Sequence, residues 1–346
     1  MRSQEMKNIS AGINPLGPSK KVKAAVRRAV GRINRTADDE SRLIRQFASR
    51  LGTAQESVVL SSAFPELAAR LMDALRPERV CVLGPSDGWY ERAGRVAASA
   101  SIALTASAHS GFAVGAELLE DAALRPGDLV VTTDPNRVTG RAIGRTELLG
   151  IAEKVRSAGA VLLVDQSLAG FTGLATVPPE LVADGSVVVI GTTVFYYGLP
   201  GLELAFALAA PACAGAMRAA CACAPNLLAV VAAREAWKDA SFVRLTGGYM
   251  AEEQALLKKR LANNAGWEVL TSDSGVFLAA PPSGAQEAAA RLGAAGFAVR
   301  QWSGGQDDSR TFFRFSVMKH EDNLRVAKIL AAPKRQTAAG GGDARR

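Results

Sequence analysis

Short apolar runs alternate with amphipathic segments through the first two thirds of the chain. The segments between the runs carry apolar residues at helical spacing, for example Leu43, Phe47 and Leu51 on one face. The runs themselves are typical of buried strands and lie at residues 58–60, 80–83, 129–131, 161–164 and 187–190. This alternation predicts an α/β domain with a mostly parallel sheet, whose ligands would bind at the carboxyl ends of the strands.

The last third of the chain has a different pattern. Alanine-rich stretches beyond Pro211 predict long helices, and shorter alternating segments around residues 267–279 and 299–317 predict strands. We therefore expect a smaller α+β domain after the first one. The predicted organisation is an N-terminal arm and first helix (1–30) that pack with the small domain, a large α/β domain (31–222), the small α+β domain (223–332) and a Gly/Ala-rich disordered tail (333–346).

Composition excludes several classes of protein. The 346 residues are 48% hydrophobic and 21% charged, as in ordinary globular proteins of enzyme size. No apolar run reaches the roughly 18 residues that span a bilayer, and the first ten residues lack the apolar core of a secretory signal. We expect a cytoplasmic protein with no membrane partner.

Neither the cysteines nor the net charge indicates a binding site. Cys221 and Cys223 are one residue apart, unlike zinc ligands, and only two histidines are present, so we predict no metal site. The charge of +8 comes partly from the tail and partly from a basic helix face at residues 20–28. Because no aromatic residues are interleaved with these charges, we predict no nucleic-acid partner.

The most informative motif follows the apolar run at residues 187–190. A Gly-Thr-Thr break, an aromatic triplet and a turn succeed one another in the sequence GTTVFYYGLPGL (191–202). Near the N-terminus, residues 14–17 read NPLG. Together these motifs resemble those of fold-type-I pyridoxal-phosphate (PLP) enzymes, in the group of histidinol-phosphate aminotransferase and threonine-phosphate decarboxylase, over residues 8–330.

The resemblance implies a large α/β domain with a mostly parallel, seven-stranded sheet flanked by helices, a smaller α+β domain, and a homodimer. It also assigns roles to positions. The Schiff-base lysine of the family falls on Phe195, and its phosphate-binding arginine falls on Glu203. The family's glycine-rich phosphate loop is replaced by a segment in which Ser62 keeps a hydroxyl, while Phe64 and Pro65 hinder close approach of an anion.

At the other positions of the resemblance, one family residue is retained and three are replaced. Asp165 stands where the family's aspartate pairs with the pyridine nitrogen, although an aspartate that closes a parallel strand also often caps a loop. Arg137 replaces an asparagine that bonds the cofactor's ring oxygen. Asp87 replaces the stacking aromatic residue, with Trp89 either displaced into that role or a core residue. Thr36 replaces a tyrosine that reaches across the dimer interface.

In the small domain, the resemblance places the family's carboxylate-binding arginine at Met318. Residues 312–317 alternate as a strand, and we expect Arg314 to be an ordinary strand residue within it.

These positions predict a member of the fold without PLP chemistry. PLP catalysis needs a lysine amine, and phenylalanine offers neither a nucleophile nor a base. We therefore predict no catalytic residue and no bound cofactor, with PLP confined to active relatives. The expected vestigial pocket contains Asp165, Thr192, Ser62 and Arg137. Tyr196 and Tyr197 are expected to line it too, and Arg137 is expected to capture an anionic small molecule.

Two function classes stay open. The favoured one is a ligand-binding or partner protein. The alternative is an enzyme: a PLP-dependent aminotransferase or decarboxylase of a cobalamin or amino-acid pathway, which could be active as a heterodimer with a lysine-bearing paralogue, or an enzyme with new chemistry in the old cleft. Isolation of such a relative with the chain would favour the alternative.

Overall fold

The computed structural model describes residues 6–34, 40–98, 100–173, 177–220, 224–303 and 308–331. Thr36, Cys221, Cys223 and the predicted tail at 333–346 lie outside these ranges.

Helices and strands alternate through most of the described chain. The strands are β1 (Lys7–Asn8), β2 (Val58–Ser61), β3 (Arg79–Leu83), β4 (Ala100–Leu104), β5 (Asp128–Thr133), β6 (Val161–Asp165), β7 (Val187–Thr192), β8 (Ala205–Leu208), β9 (Glu268–Val269), β10 (Val276–Ala280), β11 (Phe297–Ala298), β12 (Arg300–Ser303) and β13 (Thr311–Ser316). The helices are α1 (Lys20–Ala29), α2 (Glu40–Leu51), α3 (Phe64–Leu75), α4 (Trp89–Ala97), α5 (Arg145–Ser157), α6 (Pro179–Ala183), α7 (Val194–Tyr197), α8 (Pro211–Ala219), α9 (Leu227–Lys238), α10 (Ala240–Ala265), α11 (Ala285–Ala294) and α12 (His320–Leu330).

A large sheet of seven strands forms the centre of the described structure, in the order β2-β8-β7-β6-β5-β3-β4. The pairs from β7 through β6, β5 and β3 to β4 are parallel, and β8 runs antiparallel to both of its neighbours. The mostly parallel sheet predicted from the sequence is therefore confirmed.

Both faces of this sheet are buried, which explains why its strands are continuous apolar runs. One face packs against α2, α5 and α9, with Phe47, Ile151 and Trp237 in the shared core. The opposite face packs against α3, α4 and α8, with Leu71 and Met217 in the core there.

A smaller antiparallel sheet, in the order β12-β13-β10-β9, forms the second part of the fold. Its core contains Phe277, Phe313 and Phe315, packed against residues of α10, α11 and α12. The N-terminal arm joins this part, because β1 pairs with β11 and Ile9 lies in the same core.

The position of α9 differs from the predicted domain division. Although we expected residues from 223 onward in the small domain, α9 contributes Val230, Ala233 and Trp237 to the core of the large sheet. Helix α1 packs on α9 through Ala25 and Ala29, so α1 lies with the large sheet, and only the arm before it joins the small one. The cause is that α9 is apolar on more than one face: one face packs on the large sheet and another packs on α1.

A close backbone contact holds the loop after β5 against the small sheet. Gly140 adopts φ +73°, and its carbonyl accepts hydrogen bonds from the amides of Asp273 and Ser274 at 3.0 and 3.1 Å. A Cβ at Gly140 would lie 2.0 Å from the carbonyl oxygen of Val276. The carboxyl ends of the large sheet thus face β12 and β13 across a cleft.

Each helix in the described ranges is too short or too polar to cross a bilayer.

Candidate functional site

A cavity of about 330 Å³ lies in this cleft, at the carboxyl ends of the parallel strands. Its lining comes from the arm, from the loops that follow the large-sheet strands, and from the small sheet: Asn8, Ser10, Ala11, Asp87, Arg137, Val138, Leu168, Phe195, Arg300, Trp302 and Arg314.

Phe195 forms part of the cavity wall. It lies on α7, a single turn that follows β7 and ends at Gly198, whose φ of +64° is easily adopted by glycine. The arm holds this turn, because the amide of Asn14 donates to the carbonyl of Phe195 at 2.9 Å. The position that the sequence assigned to the family's lysine therefore does face the cleft.

The two following tyrosines point away from the cavity, in contrast to our expectation. Tyr196 and Tyr197 are buried in the core of the large sheet, and the Tyr196 hydroxyl donates to the carbonyl of Val243 at 3.1 Å. Successive residues of a helix point about 100° apart, so a turn that presents Phe195 to the cleft directs its neighbours inward.

Asp165 ends β6 and is fully buried. One carboxylate oxygen accepts from the Tyr90 hydroxyl at 2.9 Å, and the other accepts from the Ser167 amide at 2.8 Å and from the Ser167 hydroxyl. Burial and the Asp165 charge raise the pKa of Tyr90 well above its usual value, so the phenol stays protonated and donates. Sequence reasoning missed Tyr90, because nothing in the chain order signals a contact across 75 residues.

Arg137 lies in the loop after β5 and reaches towards Asp165. Its guanidinium pairs with Asp87 at 3.1 Å and with Asp165 at 3.5 Å, and it lies over the rings of Phe64 and Phe195 at 5.6 and 5.8 Å. Although burial opposes the charge, these two carboxylates raise the pKa of Arg137 above its ordinary value. Arg137 is thus a fixed cation at the base of the cavity.

Glu203 follows the turn after α7 in sequence, and its side chain lies at the N-terminus of α3. Its carboxylate accepts from the Phe64 amide at 3.0 Å and from the Thr192 hydroxyl at 3.4 Å. Thr192 is therefore directed towards Glu203 and does not line the cavity, and Ser62 lies in the turn between β2 and α3, also away from the cavity lining. Of the four predicted pocket residues, Asp165 and Arg137 are in contact, whereas Thr192 and Ser62 lie beside a separate helix start.

Arg314 is a wall of the cavity, and our expectation of an ordinary strand residue was wrong. On β13 it points to the face opposite Phe313 and Phe315, which fill the small-domain core. Burial, together with the positive charges of Arg137 and Arg300, lowers the pKa of Arg314 to about 10. Met318 packs at the edge of the small-domain core and lies outside the cavity lining.

The hydrogen bonding of Arg314 is incomplete. Its Nη1 donates to the carbonyl of Ser10, while its Nε is buried with no hydrogen-bond partner in the described ranges. No carboxylate of the described residues lies within ion-pair distance of its guanidinium. Arg300 lies directly opposite Arg314 on the neighbouring strand. Like charges in that position repel each other.

The cavity is consequently positive. Arg137, Arg300 and Arg314 line it, and Asp87 is the one carboxylate among the described lining residues. Guanidinium groups bind carboxylates and phosphates through paired hydrogen bonds. Phe195 and Trp302 add apolar walls. Chemically, the cavity suits a small organic anion.

Comparisons with known proteins agree with the fold. The sequence model of "Aminotransferase class I and II" matches residues 4–330. A threonine-phosphate decarboxylase of a Sinorhizobium species is 29% identical over 210 residues, a match that covers 60% of this chain and 58% of that protein's length. Histidinol-phosphate aminotransferase 2 of Archaeoglobus fulgidus is 26% identical, with 94% of this chain and 93% of that protein covered. Among solved structures, the histidinol-phosphate aminotransferase of Sinorhizobium meliloti in complex with pyridoxal-5'-phosphate superposes with a TM-score of 0.82 at 19% identity, covering 94% of this chain and 90% of the other.

Proposed function

This chain belongs to the class I and II aminotransferase family, and from that premise we propose that it binds a small organic anion in the strand-end cavity and has lost the family's PLP chemistry. The observation that carries the proposal is Arg314, a charged side chain in a mostly buried position without a carboxylate partner in the described ranges. An isolated buried charge is costly unless it is paired. A bound carboxylate or phosphate would provide the missing partner.

The pairing of Arg314 with Arg300 supports the same ligand class. The two residues are direct cross-strand partners, and both line the cavity. An anion that bridges them would convert a repulsive pair into two charge-assisted hydrogen-bonding groups. Arg137 adds a third cation, although two carboxylates already neutralise much of its charge.

The residues of the cleft do not fit PLP. Phe195 lines the cavity where an amine is needed, and no lysine of the described residues lines it. The Asp165 carboxylate is satisfied by Tyr90, Ser167 and Arg137. Glu203 adds a negative charge at the helix start where a phosphate would bind. In the proposed function, the arginines bind and orient the anion, and no step passes through a cofactor.

The alternative is a PLP-dependent aminotransferase or decarboxylase, and the names of the relatives favour it. Such an enzyme would take its lysine from elsewhere, for example from a lysine-bearing paralogue in a heterodimer. The favoured proposal instead has a homodimer of this chain. Mass spectrometry of the protein purified from its native host separates the two, because a stoichiometric lysine-bearing relative supports the alternative and its absence supports the homodimer.

Isothermal titration of the purified chain tests the anion pocket. We expect O-phosphothreonine or histidinol phosphate to bind, and histidinol, which carries no anionic group, to show no heat of binding. An Arg314→Gln variant keeps the size of the side chain approximately and removes its charge. It should weaken binding by about tenfold or more, because a charge-assisted hydrogen bond is worth about 1.5–3 kcal/mol. Equal affinity in the variant and the natural chain would refute the assignment.

A further inference from the structure

The start of α3 is already occupied by a carboxylate of the chain itself. The first amides of a helix carry a partial positive charge and bind anions. Here the Phe64 amide donates to Glu203 at 3.0 Å, and the Thr192 hydroxyl donates to the same oxygen at 3.4 Å. Glu203 follows the turn after α7, so it is a separate segment of chain that supplies this anion.

A cation of the chain, Arg137, lies in the neighbouring strand-end cavity. The guanidinium of Arg137 is planar, pairs with Asp165 at 3.5 Å and lies over the rings of Phe64 and Phe195. Phe64 connects the two ends, because its amide contacts Glu203 and its ring contacts Arg137.

We propose that Glu203 and Arg137 form an internal plug, which supplies from the chain itself the anion and the planar cation that this cleft would otherwise take from a bound cofactor. The proposal rests on the proposed function, in which the chain works without PLP. It adds that two identified side chains already occupy the start of α3 and the contact with Asp165, and that a ligand anion has Arg300 and Arg314 as its main partners in the cavity.

The Glu203 carboxylate is favoured over a free anion at this helix start because it is covalently part of the chain. An internal carboxylate competes with free phosphate at an effective concentration in the millimolar range or above. Its removal leaves the Phe64 amide and the Thr192 hydroxyl without their acceptor, and these are groups that a phosphate oxygen can satisfy.

Inorganic phosphate is the probe for the Glu203 end, used in an Arg314→Gln background so that the outer cavity does not contribute. We expect a Glu203→Ala/Arg314→Gln protein to bind phosphate about tenfold more tightly than Arg314→Gln alone, measured by isothermal titration, where tenfold corresponds to 1.4 kcal/mol. Unchanged phosphate affinity would contradict the plug. If the alanine variant does not fold, Glu203→Ser is expected to give the same gain.

Glu66 provides the matched control. It lies in the first turn of the same helix, and its carboxylate bonds the Ser61 hydroxyl at 2.7 Å and the Arg70 guanidinium. Glu66→Ala in the same background removes one negative charge from this helix end without uncovering the Phe64 amide. An equal gain in phosphate affinity for Glu66→Ala would assign the effect to general electrostatics and overturn the plug.

PLP and pyridoxal probe both ends together. We expect PLP to bind a Glu203→Ala/Arg137→Asn protein about tenfold more tightly than it binds the natural chain, as measured by equilibrium dialysis, whereas pyridoxal, which lacks the phosphate, gains less. Equal PLP affinity in the two proteins would contradict the plug. The anion pocket is tested separately on the natural chain, so either proposal can fail alone.

Discussion

Arg314 carries its charge into a site that offers one carbonyl acceptor, and at neutral pH this arrangement costs folding free energy. Its lowered pKa of about 10 has burial as its main cause, with Arg137 and Arg300 adding to it. A residue that destabilises the empty protein and faces a cavity is typical of a binding site, because the ligand supplies the missing interaction.

Arg314→Met should therefore stabilise the ligand-free protein. It removes a buried charge without an ion pair and keeps a long apolar side chain, so we expect the free energy of unfolding to rise by about 1–3 kcal/mol. Urea denaturation measures this change, and titration with O-phosphothreonine should show that binding is lost. A destabilised variant would mean that Arg314 already has a strong partner in the protein.

The same residue predicts a pH dependence. Below pH about 10 both the native and the unfolded chain carry the Arg314 proton, and the penalty is fully present. Between the native pKa of about 10 and the higher ordinary pKa of an arginine, the unfolded chain binds more protons at this residue, so its contribution to the free energy of unfolding rises with pH. The stability advantage of Arg314→Met should thus be smaller at pH about 11 than at pH about 9, when measured by urea denaturation. An advantage that does not change with pH would contradict the lowered pKa.

Sequence reasoning identified some of these residues and missed others for a physical reason. Phe195 and Glu203 could be found because a rigid strand–turn motif fixes their spacing. Tyr90 and Arg314 act on the site from distant elements, and their roles follow from which face of a helix or strand is turned to the cleft.

At the scale of elements, the N-terminal arm links the two sheets. Its strand β1 pairs with β11, and the carbonyl of Ile9 accepts a hydrogen bond from the amide of Ser316 on β13. Asn14 donates hydrogen bonds to the carbonyls of two residues of α7. Gly12 lies at the centre of these contacts with φ +73°, and a Cβ there would lie 3.0 Å from Val276 Cγ1 and 3.3 Å from Arg314 Nη2.

Gly12→Ala should impair binding more than folding. The positive φ costs about 1–2 kcal/mol for alanine, and the added methyl group displaces the Arg314 guanidinium. Gly17→Ala is the matched control, since Gly17 has φ +63° and no atom within 4 Å of its added Cβ. Thermal unfolding should report a similar loss of stability for both variants, and titration should report weaker anion binding for Gly12→Ala. Equal anion affinities of the two variants would show that the conformation of the arm at Gly12 does not affect the pocket.

The secondary structure of the large sheet was readable from the sequence because strands buried on both faces are continuous apolar runs. The division at α9 was not, because an alanine-rich helix fits either domain in sequence, and the core that it joins depends on the long-range packing of Val230 and Trp237.

For the whole molecule, ligand binding and stability should be linked. An anion that binds the native chain raises the free energy of unfolding by about 2.7 kcal/mol at a hundred times its dissociation constant. We expect O-phosphothreonine to raise the melting temperature of the natural chain and to raise that of Arg314→Gln by a clearly smaller amount. Differential scanning calorimetry measures both, and equal shifts would indicate binding outside the cavity.

An aminotransferase fold with Phe195 in its cleft, and with Asp165, Arg137 and Glu203 already bonded within the chain, is not expected to use PLP. Equilibrium dialysis of the natural chain against PLP tests this expectation most directly. Our account predicts a dissociation constant weaker than about 1 mM and a colourless protein. Tight binding, or a yellow protein whose colour is lost on treatment with borohydride, would contradict it.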